Sequence, residues 1–194
     1  ILSGTTTLAA GALNDITLND ANDFSGDVQI VTGNNVTLND VNGITFGLAS
    51  TISGNLIVTA AGLISDGAAG TLAVTGTTNL TPGALNGVTL DNAGNDFGGD
   101  VTVVNGAAIN IRDANAIEFA GIGTGAAVAS LIVVAGTTIT DDAAGTIIAV
   151  TGNANFTGTD ITLGDAGVLD TTNFGFLRFT ATGTVTITED SDTS

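Results

Sequence analysis

The stretch GTTTLAAGALNDITLNDANDFSGDVQIVTGNNVTLNDVNGITFG at residues 4–47 decides the fold, because the chain contains it twice. The second copy, GTTNLTPGALNGVTLDNAGNDFGGDVTVVNGAAINIRDANAIEF, begins at residue 76, so Leu8 of the first copy corresponds to Leu80 of the second. A degraded third copy begins at Gly152. Close repetition of this kind is typical of stacked units. We therefore expect one continuous repeat segment over residues 1–194, with units at about 4–75, 76–151 and a partial 152–194.

Apolar residues recur at every second position in short bursts, such as Val36/Leu38, Leu56/Val58 and Ile109/Ile111. That period is typical of β-strands. Between the bursts lie Asn-Asp, Asn-Gly and Gly-Asn pairs, which tolerate positive φ and therefore predict tight turns. The Ala-containing pieces are too short and too closely bounded by Gly to form helices. The pattern therefore predicts an all-β chain.

The spacing of the bursts alone permits an antiparallel sandwich as well as a solenoid. A shorter echo favours the solenoid: TLND at 17–20 recurs at 37–40, and the separation of Phe24 from Phe46 recurs between Phe97 and Phe119. We predict a right-handed parallel β-helix with about 20–22 residues per coil, and with large Phe side chains filling its corners. Eight to ten coils at about 4.8 Å each would make a rod of roughly 40–50 Å. Thr, Asn and Val at equivalent positions would stack as ladders along the rod.

Charge restricts the partners. The formal net charge is −17, with no Lys or His and only two Arg, so a nucleic-acid backbone would be repelled. No Cys is present, which excludes disulfides and thiolate metal sites. The apolar stretches are shorter than the roughly 20 residues that a membrane-spanning helix needs. We expect no nucleic-acid partner and no direct membrane insertion.

Acidic turns are the most visible polar feature, and clusters of carboxylate and amide oxygens can bind Ca²⁺. Neither the twelve-residue calcium loop nor the glycine-rich calcium nonapeptide is present in the sequence. We expect solvated or Asn-laddered turns and no required cofactor. The weak candidates for a calcium site are Asp20, Asp23, Asp40, Asp96, Asp141 and Asp142.

Catalysis is not expected. A polysaccharide-cleaving enzyme on a β-helix needs a cationic group or paired acids in a cleft, and this chain has neither Lys nor His. Asp141 and Asp142 could imitate a carboxylate pair, but adjacent strand residues point to opposite faces. We therefore predict no catalytic residue.

The segments NDFSGDVQIVTGNNVTLNDVNGITFG at 22–47 and GNLIVTAAGLISD at 54–66, with their second appearance, resemble the repeat regions of filamentous-haemagglutinin-like bacterial exoproteins. The resemblance covers nearly the whole chain, and residues 174–194 follow it loosely. It implies a right-handed β-helical stalk, exported by a two-partner or autotransporter route, that is secreted or attached to the cell surface.

The expected function is therefore a non-catalytic structural segment of an extracellular adhesin, surface filament or matrix fibre. Its expected partners are other copies or flanking segments of the same protein, stacked end to end at the coil ends. An alternative is a face that binds a cell-surface carbohydrate or receptor, although the chain lacks the Trp and Tyr that often anchor sugars.

Overall fold

The computed structural model describes residues 1–141, 145–164 and 170–190, and these form nineteen β-strands and no helix. The described residues therefore contain no helix able to span a bilayer. The strands are β1 Thr6–Ala9, β2 Ile16–Asn22, β3 Val28–Thr32, β4 Val36–Asp40, β5 Ile44–Ile52, β6 Leu56–Ala60, β7 Ile64–Val74, β8 Thr78–Thr81, β9 Val88–Leu90, β10 Asp96–Phe97, β11 Val101–Val103, β12 Ala108–Asp113, β13 Ile117–Ile122, β14 Ser130–Ala135, β15 Ile139–Asp141, β16 Ile147–Gly158, β17 Ile161–Leu163, β18 Thr171–Ala181 and β19 Val185–Ile187.

All nineteen strands belong to one sheet, and the described pairs run parallel. A strand pairs with the strand two or three places further along the chain, as β4 does with β6 and β8 does with β11. One inward column therefore passes through eight successive turns: Leu18, Leu38, Val58, Leu80, Val103, Ile122, Ile148 and Thr172. The predicted β-solenoid is confirmed, with about eight turns and an axial length of roughly 38 Å.

Each turn has three sides, and each side contributes buried columns. Between Val36 and its partner Leu56, one turn later, the chain passes Ile44 and Ile52. Ile44 pairs with Ile64, and Ile52 pairs with Val74. Residues alternate between the core and the surface within each side, as the i, i+2 pattern predicted. We call these sides face one, face two and face three, in the order of Val36, Ile44 and Ile52.

The coil is more variable in length than the narrow range that the sequence predicted. The turn from Val36 to its partner Leu56 lies at the short end of that range, whereas the turn from Ile64 to its partner Val88 exceeds it. The turn from Val74 to its partner Phe97 also exceeds that range, and it contains the 91–95 corner that follows β9. A corner can accept insertions because it lies outside the ladder, while a strand cannot shift by one residue without reversing which side chains are buried.

The length of one sequence repeat is not a whole number of coils, so equivalent residues of the two repeats lie on different faces. Ile16 and Val88 are equivalent in the repeat, yet Ile16 pairs with Val36 on face one, whereas Val88 pairs with Ile64 on face two. One sequence repeat thus makes three complete turns and about a third of another. Equivalent surface residues of successive repeats therefore project from different sides of the rod.

The corners turn by a different device from the one predicted. We expected Asn and Asp to supply positive φ, but among the described residues only glycines have it, at Gly11, Gly106, Gly123, Gly145 and Gly164. The Asn side chains instead bond to backbone groups: Asn22 Nδ2 donates to the carbonyls of Leu18 and Asn39. An amide that satisfies corner carbonyls removes the need for a left-handed backbone there.

The core is apolar and contains the predicted large Phe side chains. Phe24, Phe46, Phe97 and Phe119 are all buried, and Val28 pairs with Phe46 as Val101 pairs with Phe119. Phe156 and Phe174 add an edge-to-face pair with ring centroids 5.6 Å apart. The spacing of these residues in the sequence therefore predicted their burial correctly.

One polar side chain interrupts an apolar column and provides a test of the core. Thr78 lies between Leu56 and Val101, is buried, and its Oγ1 has no hydrogen-bond partner among the described residues. Thr78→Val replaces this hydroxyl by a methyl group of similar size, so it should raise the free energy of unfolding by about 1 kcal/mol. Urea unfolding followed by circular dichroism would measure it, with the exposed Thr77→Val as control. A destabilised Thr78→Val variant would contradict this account.

Candidate functional site

The six acidic candidates lie at corners and strand ends, in different surroundings. Asp20 and Asp96 are exposed, Asp23 is half-buried, and Asp40 and Asp141 are buried at the ends of β4 and β15. Asp142 lies outside the described residues. Within the described ranges, no group of three or more Asp, Glu, His or Cys side chains is arranged to hold a metal ion. A calcium site therefore stays a prediction without a defined ligand set.

Asp23 and Asp40 meet at one corner through Asn42. Oδ1 of Asp23 accepts a hydrogen bond from Asn42 Nδ2 at 3.3 Å and one from Ser25 Oγ at 3.0 Å. Oδ1 of Asp40 accepts from the backbone N–H of Asn42 at 2.6 Å, and its Oδ2 accepts from the N–H of Phe24 at 2.7 Å. Both oxygens of Asp40 thus bind backbone donors, so its carboxylate holds two neighbouring coils together.

The second repeat contains the same arrangement. Oδ2 of Asp113 accepts from the N–H of Phe97 at 2.7 Å, and its Oδ1 accepts from the N–H of Asn115 at 2.6 Å. In the third copy the N–H of Phe174 donates to Glu189 Oε1 at 2.6 Å. We call these carboxylates, Asp40, Asp113 and Glu189, the corner carboxylates. They recur with the sequence repeat, which indicates a structural role at the corner of the next coil, beside each NDF or TNF segment.

Burial shifts the titration of one corner carboxylate. Removal from water raises the pKa of Asp113, and the hydrogen bonds from Phe97 and Asn115 oppose this shift. The nearby charge of Asp96 also raises this pKa, by a smaller amount. The carboxylate is therefore costly to ionise where it lies, and its two strong donors offset part of that cost.

A different acidic side chain fixes the long corner of the second repeat. Oδ2 of Asp66 accepts from Asn92 N–H at 3.1 Å and from Asn95 Nδ2 at 2.8 Å. Oδ1 of Asn95 accepts in turn from the N–H of Leu72 at 2.9 Å. Asn95 is fully buried. This network ties the 91–95 turn to the preceding coil and accounts for these residues without a ligand.

The predicted asparagine ladder is present on one corner of the first repeat. Asn35 Oδ1 accepts from the N–H of Asn55 at 3.1 Å, and Asn55 Oδ1 accepts from the N–H of Thr77 at 2.9 Å. The ladder begins at Asp15, whose Oδ1 accepts from the N–H of Asn35 and the side chain of Asn34. These donors, the backbone N–H first, lower the pKa of Asp15. This corner is therefore laddered along the rod axis.

The side chain of Asp141 lies in the interior of the rod. It is buried, and its Oδ2 accepts a hydrogen bond from the N–H of Gly164 at 2.7 Å. Its register partner in β13 is Phe119. Because Asp142 lies outside the described residues, the structure places only one member of the pair that could have imitated catalytic acids.

The clearest surface feature lies on face two, where the sequence predicted no candidate site residue. Strands β12, β14, β16 and β18 run side by side there in register. We call the outward residues of 108–112, 130–134, 153–157 and 176–180 the arginine face. It carries both arginines of the chain, Arg112 and Arg178, and none of its outward residues is acidic. At its border, Asp91 Oδ2 accepts a hydrogen bond from Asn110 Nδ2 at 2.9 Å.

A cavity of about 390 Å³ opens at one end of the arginine face. Its lining residues are Asn153, Ala154, Asn155, Phe176, Leu177 and Arg178. The register places Asn153 beside Phe176 and Asn155 beside Arg178, one coil apart. Recognising it from sequence would have required the corner insertions to be known.

Comparison with known proteins gives a family without a function. A family model described as "Repeats of unknown function (DUF5649)" matches residues 1–31 and 33–104, which together are more than half of the chain. No curated protein and no solved structure matches the sequence. The resemblance to filamentous-haemagglutinin-like repeats is thus supported at the level of a repeat protein with a solenoid fold, and its finer part stays a hypothesis.

Proposed function

We propose a structural role for this chain, which belongs to the DUF5649 family of repeats of unknown function. In this proposal it is a non-catalytic segment of a bacterial adhesin, surface filament or matrix fibre. In this proposal the protein is secreted or attached to the cell surface, as in the filamentous-haemagglutinin-like exoproteins that its repeats resemble. The segment forms a rigid rod that stacks end to end with other copies or with flanking segments of the same protein.

The observation that carries this proposal is the continuous parallel ladder from β1 to β19. Backbone hydrogen bonds in such a ladder run between successive coils, along the long axis of the rod. Among the described strands, each coil pairs with the coils next to it, which is the organisation of repeat scaffolds. Stiffness along the axis and extension by further coils follow directly from this geometry.

The two ends of the rod expose groups that are buried elsewhere in the same columns. Phe179 occupies the position that follows Phe156 in its column, yet Phe179 is 50% exposed and Phe156 only 1%. At the other end Leu8 is partly buried, whereas its partner Ile30 is fully buried. Exposed core columns and unpaired strand edges favour the addition of another coil.

Charge directs association toward these ends. The net charge of −17 is distributed over a chain of 194 residues, so the sides of two rods repel each other. An end-to-end contact buries apolar surface and pairs backbone groups, and these gains are local to the ends. A contact between unlike ends does not close on itself, so it propagates into a filament.

Substitution at one end tests this association. Phe179→Asp should abolish concentration-dependent assembly, because it places a charge where the next coil would pack. Leu85→Asp makes the same chemical change at a turn tip that is 92% exposed, and should assemble like the unmodified chain. Sedimentation velocity over a concentration series, with electron micrographs of the same samples, would measure both.

The expected images show rods whose lengths are multiples of about 38 Å. Compact particles at every concentration of the unmodified chain would refute the proposal. Equal assembly of the Phe179→Asp and Leu85→Asp variants would refute the role of this end. The melting temperature of each variant identifies any loss that comes from unfolding.

A second candidate function is supported by one observation. The arginine face and its cavity are consistent with the alternative that a side of the rod binds a carbohydrate or receptor. The rod and this face are compatible, since a stalk can carry a ligand site on its side.

A further inference from the structure

We propose that the cavity on the arginine face binds a sugar that carries a carboxylate, such as a uronic acid residue at the end of a glycan. The inference concerns a site on the side of the rod and does not depend on end-to-end stacking. It rests on the cavity, on the four outward side chains around it, and on the distribution of charge over this face.

Four outward side chains make a square at the cavity. Asn153 and Asn155 project from β16, and Phe176 and Arg178 project beside them from β18. Neighbouring strands are about 4.8 Å apart, and alternate residues along a strand about 6.6 Å apart, so one pyranose ring can touch all four. Ala154 and Leu177 lie between them and face the core, where they form the floor.

Each side chain supplies a different contact that an acidic sugar requires. The guanidinium of Arg178 can bind a carboxylate through two parallel hydrogen bonds. The two amides can donate to and accept from ring hydroxyls. The phenyl ring of Phe176 is 56% exposed and offers an apolar surface for the C–H face of a sugar. A simple inorganic anion would use Arg178 and the amide N–H donors, and would leave Phe176 and the amide oxygens without a role.

The backbone explains why the surface is concave here. The register between β16 and β18 shifts between Val150 and Asn153, which is a bulge in an otherwise regular ladder. Bulges redirect side chains and are frequent beside binding sites. Gly175 lies against the carbonyl oxygen of Thr151, so closely that a Cβ atom at this position would clash with it. This close approach places Phe176 at the rim of the cavity.

Charge makes this face the most favourable for an anion. The outward positions of the arginine face carry two cations and no acid, on a chain whose net charge is −17. Arg112 belongs to the same face but lies three strands from Arg178 and does not line the cavity. It is therefore a matched control, since its loss changes the net charge equally and leaves the cavity intact.

The test titrates the full chain with galacturonic acid, with galactose and with sulfate, and follows backbone amide chemical shifts by NMR. We expect millimolar binding of galacturonic acid, with shifts confined to residues around the cavity, and at least tenfold weaker binding of galactose and sulfate. Arg178→Gln and Phe176→Ala should each weaken galacturonic acid binding about tenfold or more. Arg112→Gln should leave it unchanged.

Absence of galacturonic acid binding by the unmodified chain would overturn the proposal. Equal binding of sulfate would also overturn it, because the site would then recognise charge alone, and equal binding of galactose would remove the role of Arg178. Equal losses in Arg112→Gln and Arg178→Gln would assign the effect to net charge rather than to the cavity. Any of these results can occur while rods still assemble, so a failure here is distinct from a failure of the rod proposal.

Discussion

Asp113→Ala is expected to lower the free energy of unfolding by about 2–4 kcal/mol. The side chain of Asp113 is only 1% exposed, and its two oxygens accept hydrogen bonds from the N–H groups of Phe97 and Asn115. Alanine removes both acceptors at once. Two backbone donors at a buried corner then lose their hydrogen-bond acceptors, and one of the links between the coil that contains Phe97 and the next coil is removed.

The control for this prediction is Asp96→Ala. Asp96 is an exposed acid on the neighbouring strand β10, so its removal changes the net charge equally while leaving the corner hydrogen bonds in place. We expect it to change the free energy of unfolding by no more than about 0.5 kcal/mol. Urea unfolding followed by circular dichroism would measure both variants. Equal effects of the two substitutions would show that Asp113 acts only through its charge.

The effect of Asp113→Ala should also depend on pH, with a defined sign. Burial raises the pKa of Asp113 above its ordinary value of 3.8, so the folded chain holds this proton more tightly than the unfolded chain. The contribution of this group to stability is therefore complete below the unfolded pKa, and it decreases as the pH rises through the folded pKa. The difference between the unmodified chain and Asp113→Ala should be largest at low pH and smaller at neutral pH. A difference that grows as the pH rises would contradict this assignment.

The corner carboxylates illustrate what the sequence could and could not predict. Asp40 was visible as an acidic turn residue and was interpreted as a weak candidate for calcium. Its burial could not be predicted from the sequence. The alternation in β4 places Asp40 inward only if the strand extends as far as Asp40, and the sequence did not fix that end. A recurring signal was available: Phe24 and Asp40 are separated by the same interval as Phe97 and Asp113. A constant interval between an aromatic residue and an acid, repeated with the array, is consistent with a structural contact.

The fold itself could be predicted because its causes are local or periodic. Alternating apolar residues determine which side chains of a strand are buried, and the echo of TLND at 17–20 and 37–40 gives the length of a turn. Both signals are present throughout the sequence, because every coil contributes inward apolar side chains to the same continuous core. Stacking of Asn at equivalent positions of successive coils was predicted for the same reason, and Asn35 and Asn55 provide one example.

The arginine face could not be found in this way. Asn155 and Arg178 are neighbours on adjacent strands, and the preceding strand pairs Ile132 with Asn155 across the same interval of sequence. The turn from Val36 to Leu56 in the first repeat is shorter than this interval. A fixed period therefore loses the register after a few turns. The position of a residue in a surface patch depends on the summed lengths of all preceding coils. The alternation of buried and exposed residues depends only on the strand that contains them.

Phe119→Ala is expected to destabilise the rod more than any exposed substitution, by about 3–5 kcal/mol. Phe119 is fully buried in β13, beside Val101 in one neighbouring coil and Asp141 in the other. Removing its ring leaves a cavity between strands that are held in position by their backbone ladders, so the surrounding coils cannot collapse fully to fill it. Phe176→Ala makes the same chemical change on the outer surface and should cost less than about 1 kcal/mol.

The location of Phe119 also predicts how the damage is distributed. In a solenoid each coil is stabilised by its neighbours, so weakening one interface separates the array into two parts that unfold with less cooperativity. Hydrogen exchange of Phe119→Ala should lose protection first in β11, β13 and β15, while strands near β4 and β6 keep theirs. Uniform loss of protection along the whole chain would mean that the coils unfold as a single globular unit, which the quasi-one-dimensional stacking of the ladder does not allow.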